Sequence, residues 1–224
     1  MTSPDIRNAA TVILLRRDGD DVRVLMGQRG RGAVFMPDKF VFPGGAIDEG
    51  DFALAEALGV QPVDRERLER RSVPGLAGGL AIAAVREVWE ETGLKLAHVG
   101  EAPTAFVVPE TWARFFAGGL MPNTGALRFF FRAVTPKGRP RRFDARFFLA
   151  DADALFDTLD DHTEADGELR HLQWLKVAEA RKLSLPFITE VVLSELENHL
   201  KTGDADRKVP FFDHDDEGSH FRLL

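Results

Sequence analysis

Arg86-Glu87-Val88-Trp89-Glu90-Glu91-Thr92-Gly93-Leu94 is the stretch on which the reading of this chain turns. It closes a run, Leu80–Thr92, in which Ile82, Val85 and Trp89 recur at i, i+3 and i+7. Ala81, Ala84 and Val88 widen that stripe, which is the pattern of an amphipathic helix. Gly93 stands where a helix takes its C-terminal glycine. Glu87, Glu90 and Glu91 then fall at i, i+3 and i+4, on one face and within reach of a shared point. The ordinary reading of a Glu-rich helix is a solvated charged face. Here, however, like charges at these spacings repel by roughly 0.2–0.5 kcal/mol per pair. The helix C-terminus disfavours Glu90 and Glu91 by a further 0.3–1 kcal/mol or about that each, and no lysine lies in that turn. Local conflicts of this kind gather at functional sites. A divalent cation removes the conflict, and oxygen-only donors favour Mg²⁺ or Mn²⁺ over Zn²⁺. Arg86 reads either as a surface partner of Glu90 at i+4 or as the group that orients a carboxylate and keeps it ionised.

Upstream stands Phe42-Pro43-Gly44-Gly45-Ala46-Ile47-Asp48-Glu49-Gly50-Asp51. Its glycines let backbone approach a metal or a phosphate closely, and Asp48, Glu49 and Asp51 add three acids. We expect the two stretches to fold into one metal and diphosphate site. The residues between them, about 52–78, read as an insertion.

Working outward, Ala9–Arg16 and Val22–Gly27 read as a hairpin, and Lys39–Phe42 as a short strand. Asp51–Gly59 has helical spacing, Pro62–Ser72 is a charged helical turn or two, and Pro74-Gly75 and Gly78-Gly79 read as breaks. Beyond the central helix come Lys95–Val99, Thr104–Val108 and a short helix near Glu110–Ala117. Leu127–Thr135 and Arg142–Leu149, rich in phenylalanine, read as paired strands. Asp151–Leu159 reads as a helical turn, Asp160–Glu168 as an acidic loop, Leu169–Trp174 as a strand, and Lys176–Leu183 and Pro186–Leu200 as helices. The expected organisation is one domain over 1–201 and a tail, 202–224, either loose or laid across the body. The element order suggests an α+β or layered α/β fold.

Composition narrows the chemistry. The 224 residues are 44% apolar and 29% charged, with a net charge of −7 and a pI near 5.4. That balance suits a globular domain and argues against general affinity for nucleic acid or an anionic membrane, which need a basic field. With no cysteine, thiolate metal sites, disulfides and a Cys nucleophile are excluded. The apolar run Ala9–Leu15 is too short for a signal or a membrane span, so the expected compartment is cytoplasmic.

REVWEETGL resembles the second half of the Nudix box, whose pattern is G-x5-E-x7-R-E-U-x-E-E-x-G-U with U apolar. Arg86, Glu87, Val88, Glu90, Glu91, Gly93 and Leu94 all match. Gly45 followed five residues later by Asp51 is similar to the first half, with Asp for Glu, and FPGG before it is typical of the family. The spacer from Asp51 to Arg86 holds 34 residues, 52 to 85, against seven in the family, so 27 are extra. Long excursions add little loop entropy. A Nudix subgroup with a long insertion inside the box is similar in this respect and includes a peroxisomal coenzyme A diphosphatase, which Phe35-Met36-Pro37 before the FPGG turn also resembles.

The resemblance implies an α/β/α sandwich with a mixed β-sheet and hydrolysis of a nucleoside diphosphate linked to another moiety. It implies Mg²⁺ or Mn²⁺ held by Glu87, Glu90, Glu91 and the Gly45 carbonyl, and a base that is Glu87 or an acid of a later loop. Glu164, Asp166 and Glu168 are the loop candidates, with Glu168 preferred. Arg29 and Arg31 are candidates to steer phosphates at the pocket mouth. The expected partner is a small nucleoside diphosphate derivative, with no membrane and no general nucleic-acid binding, and with room for a homodimer. The alternative is a non-catalytic Nudix-fold module that senses a nucleotide. The substrate is not named. Of the coenzyme A pattern R-x3-G-x3-FPGG, Val34 and Asp38 occupy the Arg and Gly positions. Pro109 lies 16 residues past Gly93, a spacing seen in ADP-ribose hydrolases, and there is no tyrosine. His214-Asp215-Asp216-Glu217, His162 and His171 read as surface groups, and Phe106, Phe129 and Phe131 as core rather than base-stacking residues.

Overall fold

The computed structural model describes residues 5–19, 21–33, 36–103, 106–203, 207–214 and 218–224. Eleven strands appear among them: β1 Ile6–Asp18, β2 Asp21–Arg29, β3 Phe40–Val41, β4 Gly44–Ala46, β5 Ala97–Val99, β6 Leu120–Pro122, β7 Arg128–Val134, β8 Arg142–Asp151, β9 Leu169–Lys176, β10 Pro210–His214 and β11 Ser219–Leu223. The helices are α1 Glu49–Ala57, α2 Arg65–Glu69, α3 Leu76–Thr92, α4 Ala113–Phe116, α5 Val177–Ala180 and α6 Phe187–Thr202.

The main sheet runs β11-β10-β7-β8-β1-β2-β3, with β4 against β1 and β9 against β2. It is mixed: β1 lies parallel to β8 and β10 parallel to β7, while the other pairings are antiparallel. Alternation along β1 sends Ala10, Val12 and Leu14 to the layer of α3, and Ile13 and Leu15 to the layer of α6. Ile82, Val85 and Val88 of α3 fill one face. Val192, Leu193 and Leu196 of α6 fill the other. The result is a sheet covered by helices on both sides, the α/β/α architecture expected from the sequence.

Two differences from the sequence reading have physical causes. First, Gly78 and Gly79 do not break the chain but lie inside α3. A Cβ on Gly79 would stand 2.7 Å from the Phe52 ring, and one on Gly78 3.2 Å from Ala55 Cβ. These glycines therefore serve the close packing of α1 on α3. Second, the C-terminal stretch, expected either loose or laid across the body, carries two strands among its described residues. β10 and β11 pair with each other and extend the sheet through β7, burying Phe211 and Leu224. Phe106–Val108 form neither helix nor strand; Thr104 and Ala105 lie outside the described residues.

The insertion supplies most of α1, all of α2 and the start of α3. It is tied to the sheet by buried polar bonds. Asp64 accepts the Phe129 N–H at 2.8 Å. Arg132 donates to the Arg70 and Arg71 carbonyls at 2.8 and 3.2 Å. Arg146, fully buried, donates to Ser72 Oγ at 2.5 Å. Among the described residues, no helix is long and apolar enough to cross a membrane.

Candidate functional site

The site is built where the start of α1, the last turns of α3 and the β4 turn converge. Asp48 caps α1: its carboxylate accepts the Asp51 N–H at 2.9 Å, and Asp51 Oδ2 accepts the Asp48 N–H at 3.0 Å. This reciprocal box fixes the Asp51 side chain. Arg86 then meets the same carboxylate with two bonds of 2.9 Å, from Nε to Oδ1 and from Nη2 to Oδ2. Its Nη2 also donates to the Ala46 carbonyl at 3.0 Å, and Nη1 donates to Glu87 and Glu90 at 2.8 Å each. All five N–H groups of the guanidinium are engaged. The i+4 pairing of Arg86 with Glu90 and the carboxylate-orienting contact are both present, on a guanidinium that is nearly covered rather than at the surface.

β4 brings its glycines onto the acids. The Gly44 N–H donates to Glu91 Oε2 at 2.7 Å. A Cβ on Gly45 would fall on the Glu87 carboxylate, 2.5 Å from its carbon, and one on Gly44 would meet Thr11 Cα at 2.6 Å. No other residue fits at these two positions without moving the sheet or the acid.

Burial dominates the electrostatics. It pushes the Glu87 carboxyl up to about 7, against the pull of Arg86. It raises Glu91, 3% exposed, well above the usual carboxylate range; the Glu87 charge adds to the rise and the Gly44 N–H opposes it. Glu90 is raised as well, by burial first and with Arg86 opposing. These acids are thus held where their anionic forms lack compensation.

Among the described residues, no group of three Asp, Glu or His side chains is arranged to hold a metal ion. The cause is visible in the bonds above: Arg86 ties back Glu87 and Glu90, and Glu91 is turned to the Gly44 N–H. The donor set nonetheless suits a hard cation. It offers three carboxylates on two adjacent turns, all oxygen, two of them buried with incomplete charge compensation and one pressed against a glycine backbone.

The acidic loop packs against the end of α3. The Asp166 N–H donates to the Glu90 carbonyl at 2.8 Å, and His162 Nδ1 donates to the Thr92 carbonyl at 2.7 Å. A Cβ on Gly93 would meet the Ala165 nitrogen at 3.1 Å, which adds a packing reason to the left-handed φ of 78° at this helix end. The three loop acids separate by partner. Glu164 is held by Arg114 at 2.8 Å and Lys95 at 3.3 Å, and those bonds lower its pKa. Asp166 accepts the Glu168 N–H at 2.8 Å. Glu168 pairs with Arg29 at 2.6 Å, and its charge reaches Glu91.

Arg29 is therefore beside the acids, whereas Arg31 is 92% exposed and 3.6 Å from Asp38. Phe129 and Phe131 are core. His214 packs on Phe212 and bonds Ser219, while Asp215, Asp216 and Glu217 lie outside the described residues, as do Val34 and Phe35. Sequence reasoning missed two roles. Asp51 as the anchor of Arg86 had a readable signal, the D-x-x-D capping spacing. The docking of His162 on Thr92 joins positions 70 apart and had none.

No family profile matches the sequence. A Caenorhabditis elegans protein assigned by name to the nudix hydrolases, number 7 of that series, is 29% identical over 199 residues. The match takes in 80% of this chain and 57% of that protein, so the chain spans little more than half the length of this curated relative. A crystal structure of a NUDIX hydrolase from Alicyclobacillus acidocaldarius superposes with a TM-score of 0.63 at 27% identity, covering 88% of this chain and 96% of that one.

Proposed function

Because the chain carries the Nudix-box residues and is similar to Nudix hydrolases in sequence and fold, we propose that it is a member of that family and hydrolyses the diphosphate linkage of a nucleoside diphosphate joined to another moiety, with Mg²⁺ or Mn²⁺ as cofactor. The observation that carries this reading is the reunion of Asp51 with Arg86 across the insertion, which puts Glu87 and Glu91 against the Gly44-Gly45 backbone and holds Glu90 on the same guanidinium. Glu87, Glu90, Glu91 and the Gly45 carbonyl would hold the metal. Bound there, the ion would polarise phosphoryl oxygens and make water more acidic.

The chain's own groups supply the rest. Arg86 fixes the directions of Glu87 and Glu90 and is itself fixed by Asp51. Glu168, close enough to Glu91 for its charge to be felt, takes the proton of the attacking water; Glu87 is the other candidate. The water oxygen bonds to phosphorus, the phosphoanhydride P–O bond breaks, and its electron pair leaves with the second phosphate. Arg29 lies where it can receive a phosphate in exchange for Glu168, and Arg31 stands farther out at the mouth.

The test is a panel of ADP-ribose, coenzyme A, NADH and dinucleoside polyphosphates, incubated with Mg²⁺ or Mn²⁺ and read by mass spectrometry. Release of a monophosphate product from at least one, lost on chelation, supports hydrolysis. Binding without turnover across the whole panel would instead make the chain a nucleotide-sensing module.

A further inference from the structure

A cleft of about 420 Å³ is lined by Arg16, Asp18, Arg23, Asp160, His162 and Trp174 among others. It is lined by none of the acids, glycines and arginines proposed for the candidate site. Arg23 and Arg29 are six residues apart on β2, which at roughly 3.3 Å per residue is about 20 Å.

Its chemistry is specific. The Arg23 guanidinium makes no hydrogen bond and no ion pair among the described residues, and its Nε is buried without an acceptor. The carboxylate whose field it feels is Asp21, which is itself bonded to Lys176. Arg23 is half-buried, and a buried Nε–H without an acceptor carries a desolvation cost that an incoming anion would reduce. Arg16 stands 5.9 Å from the centre of the Trp174 indole and is held by Asp160 at 2.9 Å. The indole is half-buried, pinned by its Nε1–H on the Leu159 carbonyl at 3.0 Å. Two guanidiniums beside a fixed indole match a ligand with one anionic end and one flat aromatic end.

We propose that this cleft is a second nucleotide-binding site, taking a nucleoside monophosphate with its phosphate on Arg23 and Arg16 and its base against Trp174. Two of its lining residues, Asp160 and His162, belong to the loop that ends at Glu168, so the cleft and the candidate site share a wall.

The experiment is equilibrium binding of adenosine 5′-monophosphate to the full chain in excess chelator, followed by calorimetry and tryptophan fluorescence. The expected result is saturable binding that weakens at least tenfold in Arg23→Met and in Arg16→Met and is unchanged in Glu91→Gln. Adenosine without the phosphate should bind at least tenfold more weakly. Arg23→Met decides the question if Arg16→Met fails to fold by circular dichroism. Binding unaffected by Arg23→Met, binding lost in Glu91→Gln, or no binding at millimolar nucleotide would each overturn the proposal. No turnover is required, so its failure is separate from failure of the hydrolase reading.

Discussion

Arg86 grips Asp51 through two parallel hydrogen bonds of 2.9 Å although 35 positions separate them in the chain. Asp51 has no exposed side-chain surface, and the guanidinium is nearly covered. This pair closes the insertion into a loop and returns the acids of α3 to the β4 turn. Removing one partner of such a buried pair costs about 3–5 kcal/mol. For a chain of this size that is a fall in Tm of roughly 6–20 °C. Asp51→Asn should show it in a thermal melt; a change under 2 °C or so would mean the pair does not hold the site together.

Gly45 touches the Glu87 carboxylate with its backbone. Gly45→Ala should therefore displace the acid while leaving most of the fold intact. The expected outcome is a loss of metal-dependent turnover by about two orders of magnitude, in line with the penalty for a misplaced group of about 1 Å. The far-ultraviolet circular dichroism should remain native.

The raised carboxyls have a pH signature. Glu87 titrates near 7 in the folded, metal-free chain against an ordinary value of 4.5, because burial penalises its anion. A group raised on folding stabilises the folded state most below its unfolded pKa, and that contribution is lost as pH rises through the folded value. Glu91 shifts the same way. Metal-free protein should lose thermal stability between pH 4.5 and 7, and saturating Mg²⁺ should restore more of it at pH 8 than at pH 6. Scanning fluorimetry across that range checks both halves.

Glu168 and Glu164 sit on one loop with different partners. Glu164 is tied by Arg114 and Lys95, whereas Glu168 has the single ion pair with Arg29 and lies within electrostatic reach of Glu91. Glu168→Gln should lower kcat by about 10²–10⁴ at little change in KM, as for loss of a general base. Glu164→Gln should leave kcat within a few-fold. The reverse ranking would move the base to Glu164.

Much of this was legible before any coordinates. Ile82, Val85 and Trp89 announced α3 by period, and the placement of Gly93 set its end, because helix burial and C-capping are local chemistry. The β1–β2 hairpin and the β7–β8 pair were readable for the same reason. What failed was tertiary. Gly78-Gly79 looks like a break, and only the Phe52 ring against it shows that a helix needs the space. The C-terminal strands β10 and β11 carry few apolar residues between polar ones, and only their pairing with each other and with β7 orders them. At the site, the acids were identifiable from their own conflict with the helix dipole. That Arg86 would hold two of them back, with Asp51 as its anchor, depended on the path of the insertion.

The reunited segments are proposed to form a divalent-cation site. Titration of Mn²⁺ into the full chain at pH 8, with free ion read by electron paramagnetic resonance, tests it most directly. Saturable binding is expected in the wild-type chain, weakened at least tenfold in Glu91→Gln and abolished in Glu87→Gln/Glu91→Gln. Equal Mn²⁺ binding by the wild type and the double variant would contradict it.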